Sequence, residues 1–333
     1  MLTRLGPTLW GHSSLGQGFF LGEIMKRKQA SHEVLMVEPS CFAFNQETAV
    51  NNLYQHQDQK PLDQVQKQAL EEFKAYVQAL RDRGVQVHVF KDSPNPRTPD
   101  SIFPNNWFST HTGGHLAIYP MFAKNRQAEV DKFLPQLEDL LLRDLPQGSI
   151  YRKTDYRENG KKSAYLEGTG SMVLDRVHKI AYCALSPRSD QALFESFCQD
   201  FAYEAVPFQA YQAGSPIYHT NILMSITSTK ALVCLDALVP EDRDRVRDRI
   251  LASGLDLVDL TLDQISQCAG NALEVEGQNG KRFLVCSQRA YQSLRPDQVQ
   301  ALEEDLELLI VHIPTIEYYG GGSARCMLGE IFR

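Results

Sequence analysis

Cys326 ends the run Gly320-Gly321-Gly322-Ser323-Ala324-Arg325-Cys326, and two earlier runs answer it: Glu167-Gly168-Thr169-Gly170 and His219-Thr220-Asn221. Together they supply a nucleophile, a base and a carboxylate. Glycines free φ and let the backbone approach a ligand closely, so the thiol can be presented in a tight pocket rather than buried as a small apolar filler. A free thiol has a pKa near ~8.5 and becomes nucleophilic at neutral pH only beside a cation or a similar stabiliser. His219 can provide that, and can also protonate a leaving amine and then activate water. Glu167 would orient the imidazole or accept hydrogen bonds from substrate nitrogens. The chemistry suggested is that of a cysteine hydrolase.

Further polar residues sit at comparable points. Asp100, in Pro99-Asp100-Ser101-Ile102-Phe103-Pro104-Asn105-Asn106-Trp107, reads as a turn residue or a substrate contact. Asn106 is the stronger candidate, because an amide at a strand start both donates and accepts. Asn221 opens a strand-like run two residues after His219, and Asn271, in Cys268-Ala269-Gly270-Asn271, reads as a matching loop brace or as plain turn chemistry. No GxGxxG, Walker or HExxH pattern occurs, and no His and Cys spacing suggests zinc. Neither a cofactor nor a metal is expected.

The elements that must position these residues repeat. Leu62, Val65, Ala69, Phe73, Val77 and Leu80 keep helical spacing, Gly84 stops the helix, and 85–90 reads as a strand. The same helix-then-strand order recurs over 126–143 with 149–154, 188–202 with 204–209, 240–253 with 256–262, and 296–308 with 309–313. After each unit comes a loop and then an apolar hairpin, whose first strand is expected near Asn106, Ser171, Asn221, Asn271 and Cys326, at spacings of 65, 50, 50 and 55 residues. The second hairpin strands are expected at 116–121, 179–185, 231–239 and 282–287. The fifth hairpin has no second strand before the chain ends, and 34–39 is an unpartnered strand. Pairing 34–39 with 327–332 would close a ring and remove exposed edges. The expectation is one closed α/β domain of five ββαβ-like units over residues 31–333, with strand starts facing a common centre.

Residues 1–30 are expected to form a disordered extension. The uncharged stretch within 1–24 is too polar for a membrane span and lacks the apolar core of a secretory signal. Met25 is a candidate alternative start, which an N-terminal mass measurement on native protein would decide. With 43% apolar residues the chain can bury a substantial core. A formal charge of −7, without a long block of Lys or Arg, argues against a nucleic-acid or anionic-membrane partner and leaves a small-molecule ligand. Seven scattered cysteines without a CxxC pair suit neither a disulfide framework nor a zinc site, so a reducing cytoplasm is the expected compartment. No motif indicates an oligomeric state, although a homodimer is compatible with the chain. The charged, glycine-poor segment 152–162 is a candidate lid.

Taken jointly, the runs at 103–106, 167–170, 219–221, 268–271 and 320–326 resemble the guanidine-modifying superfamily of arginine deiminases, dimethylarginine hydrolases and amidinotransferases. The likeness extends from about Val34 to Phe332. It is strongest to bacterial citrulline-utilisation hydrolases, also described as amidinotransferase-like, which share the run Phe44-Asn45-Gln46-Glu47-Thr48-Ala49-Val50-Asn51. The resemblance implies a five-bladed, pseudo-symmetric α/β propeller, the pentein fold, with Cys326, His219 and Glu167 as its catalytic set. Arginine-directed members usually carry aspartates where this chain has Asn106 and Asn221. A buried guanidinium needs compensating carboxylates, since an unpaired buried charge costs roughly 3–5 kcal/mol. A neutral ureido group fits the two amides better. The implied reaction is hydrolysis of citrulline, or a related ureido amino acid, to ornithine, carbon dioxide and ammonia. Asn106 and Asn221 would hold the ureido group, and Arg325 would meet the substrate carboxylate or brace the loop. The rival readings are an arginine deiminase or amidinotransferase, and a non-catalytic propeller that binds an amino acid.

Overall fold

The computed structural model describes residues 27–143, 145 and 150–333. Five three-stranded sheets account for the repeat. Phe108–His111 pairs antiparallel with His115–Ile118, which pairs parallel with Arg152–Asp155. The same order recurs in Met172–Asp175, Ile180–Ala184 and Glu204–Phe208, in Met224–Ile226, Lys230–Val233 and Asp256–Asp259, and in Leu273–Glu276, Arg282–Ser287 and Glu307–Val311. The fifth sheet joins distant parts of the chain. Glu33–Glu38 pairs antiparallel with Gly329–Ile331, with Val34 opposite Glu330, and parallel with Gln86–Lys91. That is the pairing expected of segments 34–39 and 327–332.

A parallel pair requires a crossover, and a helix supplies it in every sheet. Leu62–Asp82 buries Val65, Ala69, Phe73, Tyr76, Val77 and Leu80, one stripe at helical spacing. Lys124–Arg143 lays Val130, Phe133 and Leu137 against Leu116, Ile118 and Trp107. Gln191–Asp200, Pro240–Leu251 and Pro296–Glu303 do the same for the remaining sheets. Among the described residues, no helix is long and apolar enough to cross a membrane.

Several expected boundaries shift. The positions expected at strand starts lie one turn earlier, in short helical turns: Pro104–Asn106, Gly168–Ser171, Thr220–Ile222 and Ala324–Met327. These turns and the strands after them are buried throughout, so no alternation of apolar and polar residues marks where a turn becomes a strand. The helix expected from 188 begins at Gln191, because the Asp190 side chain accepts from the Leu193 N–H and caps it there. Segment 152–162 is not a free lid. Its first part is the sheet strand Arg152–Asp155 and its second the helical turn Arg157–Gly160. Residues 1–26 of the expected extension lie outside the described residues. The packed chain begins before residue 31: Gln29 is buried, donates to the Leu174 and Ile226 carbonyls and accepts from the Arg176 N–H, so it bridges two sheets.

Candidate active site

The turn Thr220–Ile222 links two groups of side chains. On one flank of Thr220, His219 Nε2 meets Glu167 Oε2 at 2.7 Å. On the other, Asn221 Nδ2 faces Cys326 Sγ at 3.7 Å. Thr220 fixes the turn itself: its hydroxyl donates to the Ser171 carbonyl and accepts from the Ala184 N–H.

Glu167 is fully buried and its carboxylate is crowded. Oε1 accepts from the Phe122 N–H at 2.9 Å, and Oε2 also meets Arg188 Nη1 at 3.4 Å. Burial would raise its pKa, but Arg188 first, then His219 and Arg126, hold it well below the usual carboxylate range. Burial pushes the His219 imidazole down; Glu167 pulls it back, Arg188 and Arg126 oppose that, and it settles at about 4. At neutral pH the pair is therefore a carboxylate and a neutral imidazole. The carboxylate can only accept, so Nε2 carries the proton and Nδ1 keeps the lone pair. Gly170 is required beside it: a Cβ there would stand 2.8 Å from His219 Nδ1 and 2.2 Å from Asn106 Nδ2.

Cys326 is held by amides. Asn271 Nδ2 lies 3.2 Å from Sγ and also donates to the Asn221 carbonyl, while Asn271 Oδ1 accepts from the Arg325 N–H. Gly322 allows the ring of Phe103 to close on the loop, since a Cβ there would sit 2.8 Å from it. Phe103 immediately precedes the Asn106 turn, so this contact links the two turns.

The structure thus brings Glu167, His219 and Asn106 together, and sets Asn221 and Asn271 on Cys326. Asn106 Oδ1 accepts from Arg126 Nη1 at 2.8 Å. Asp100 is buried behind this group; Oδ2 accepts from Asn45 and Thr48, and Oδ1 is buried without a partner. Arg325 turns elsewhere, pairing with Glu330 at 2.9 Å and donating to the Leu328 carbonyl.

A family model for eukaryotic N,N dimethylarginine dimethylhydrolase matches residues 38–333. The chain belongs to that family. It is accordingly a hydrolase of carbon–nitrogen bonds within the guanidine-modifying superfamily. No curated protein sequence matches the chain. Among solved structures, the N-terminal domain of ArgZ, a cyanobacterial arginine dihydrolase crystallised with substrate, superposes with a TM-score of 0.69 at 16% identity, over 89% of this chain and 96% of that one. AgrE with L-arginine gives 0.69 at 16% identity, over 90% of this chain but 40% of its own. The enzyme DDAH from Pseudomonas aeruginosa, complexed with citrulline, gives 0.61 at 13% identity, over 91% of this chain and all of its own. At these identities the likeness shows the shared α/β fold.

Sequence reasoning passed over two arginines of this hydrolase. Arg126 forks onto Glu129 through Nε at 2.9 Å and Nη2 at 3.0 Å, both residues buried. The signal was present: a charged pair three residues apart precedes the buried apolar positions Val130, Phe133 and Leu137 of the same helix. Arg188 stands 4.6 Å over the Tyr218 ring and donates to the Thr48 carbonyl and to Asn51 Oδ1. The run 44–51, carried only as a likeness, is therefore tied to Asp100 and Arg188 at the edge of the site.

Proposed function

We propose that the five sheets close into a pentein propeller, one catalytic domain from about residue 31 onward, whose centre hydrolyses the ureido group of citrulline or a related amino acid. The observation that carries this reading is the pair of neutral amides, Asn221 and Asn271, on the Cys326 sulfur; the nearby carboxylate, Glu167, is already committed to His219 and Arg188. A ureido group brings no charge and can exchange hydrogen bonds with amides, whereas a guanidinium there would want a carboxylate.

In this reading His219 Nδ1 takes the Cys326 proton and the thiolate attacks the ureido carbon. The amide N–H groups stabilise the developing oxyanion. The proton on His219 goes to the leaving ammonia, which leaves an S-carbamoyl thioester. Water, deprotonated by the same imidazole, then cleaves it; the thiol is restored and the carbamate falls apart to ornithine and carbon dioxide. Glu167 keeps the imidazole in its tautomer. The Asp100 Oδ1, buried without a partner, suits the substrate's ammonium.

A guanidino substrate is the second reading, favoured by the buried charge count. Asp100, Glu129 and Glu167 face only Arg126 and Arg188, which leaves one carboxylate in excess. Ammonia release from citrulline, arginine, agmatine and dimethylarginine, measured side by side with Cys326→Ser as blank, separates the two. Release from citrulline alone, with ornithine formed, supports the ureido reading. Release from arginine with citrulline accumulating overturns it.

A further inference from the structure

Arg325, the residue before Cys326, lines a cavity of about 20 Å³ together with Thr169, Gln29, Arg176, Ser225 and Glu330. That volume admits one water-sized or halide-sized occupant. The charge inside does not balance. Arg325 Nη2 pairs with Glu330 Oε2 at 2.9 Å, and Arg176 Nε pairs with Glu330 Oε1 at 3.4 Å. Two guanidiniums share one carboxylate, and all three residues are more than nine-tenths buried. Among the described residues, no other carboxylate pairs with either arginine. The Phe332 ring, 4.1 Å from the Arg176 guanidinium, offsets part of the excess at most.

Two donors are also unused. Arg176 gives Nη1 to the Thr110 carbonyl at 3.3 Å, but its Nη2 is buried without a partner, and so is the hydroxyl of Ser225. A water could take both hydrogen bonds, yet it would leave the second guanidinium uncompensated, a cost of the kind that buried charges avoid by pairing. An anion meets both demands.

We propose that this cavity binds a small inorganic anion of halide size, held by Arg176 Nη2 and Ser225 Oγ beside the Arg325–Glu330 pair. The site lies one residue from the thiol. The Arg325 N–H donates to Asn271, whose amide faces Cys326, so an occupied cavity steadies the loop that carries the nucleophile.

The test reads stability rather than turnover, so it can fail independently of the proposed reaction. Thermal unfolding of the full chain is followed in sodium chloride or bromide against sodium gluconate at equal ionic strength. A saturable rise in Tm with halide is expected. In Ser225→Ala the half-saturating concentration should rise about tenfold, as loss of one hydrogen bond to a charged ligand implies, and in Arg176→Gln the saturable rise should vanish. A bromide-soaked crystal should show an anomalous peak in the cavity. Tm indifferent to halide at constant ionic strength, a rise unchanged in both variants, or a cavity holding water alone would each overturn the proposal.

Discussion

The two flanks of Thr220 are built from opposite materials. On the His219 side, ionisable groups crowd together: Glu167, Arg188, Arg126, Glu129 and Asp100 are all buried within one network. On the Cys326 side, the sulfur meets two neutral amides. The contrast separates two tasks. A proton carrier needs its tautomer and charge state set, and buried charges do that strongly because little water screens them. A nucleophile facing a neutral carbon needs donors that do not commit the site to a charged substrate. In the proposed reaction, charge is concentrated where protons would move and withheld where the substrate carbon would sit.

Breaking the neutral side should have the largest effect. Cys326→Ser is expected to lower ammonia release at least ~10³-fold, while the urea midpoint stays within what about 1 kcal/mol would produce. Breaking the charged side should cost stability as well as activity. Glu167→Gln leaves Arg188 buried beside an uncharged partner, so chemical denaturation should show a loss of roughly 3–5 kcal/mol.

The charged side also predicts a pH dependence. The imidazole of His219 titrates near 6.5 in the unfolded chain and at about 4 in the folded one. The unfolded state therefore binds more protons between those values. Stability should be fully present above pH 6.5 and fall by about 3 kcal/mol as pH drops to 4. Urea midpoints across that window should track this loss, and His219→Gln should flatten it. Glu167, with its lowered pKa, adds acid sensitivity of the same sign below its ordinary range.

Smaller changes sharpen the contrast. Gly170→Ala places a methyl against His219 and Asn106, and a displacement of that kind should lower kcat about 10²-fold with little effect on the fold as read by circular dichroism. Asn221→Asp puts a carboxylate beside the sulfur. The ratio of arginine to citrulline turnover should then rise about tenfold, the equivalent of one modest electrostatic contact. An unchanged ratio would mean that Asn221 does not set the substrate's charge.

Much of the frame was legible because its signals are local. The helix Leu62–Asp82 shows its buried stripe in its spacing. The pairing of Glu33–Glu38 with Gly329–Ile331 followed from counting hairpin strands and finding one spare at each end of the repeat. The turn boundaries were not legible, because a fully buried segment has no polar phase to read. The same limit affected Arg325. Its position beside Cys326 left a substrate contact and a loop brace both open, and its partner Glu330 was indistinguishable from a surface acid before the strand was placed.

Residue types and spacings by themselves determined the repeat and the family resemblance, and they nominated the set Cys326, His219, Glu167 with its amides, because each rests on short-range patterns that survive without coordinates. Only the tertiary structure decided which charges oppose one another. Arg126 and Arg188 came to Glu167 from 41 residues before it and 21 after it, and Arg176 came to share Glu330 with Arg325 from the other side of the chain. Electrostatic interaction depends on distance and burial rather than on sequence separation, so the charge state of the imidazole and the excess charge behind the thiol exist only once the sheets have packed.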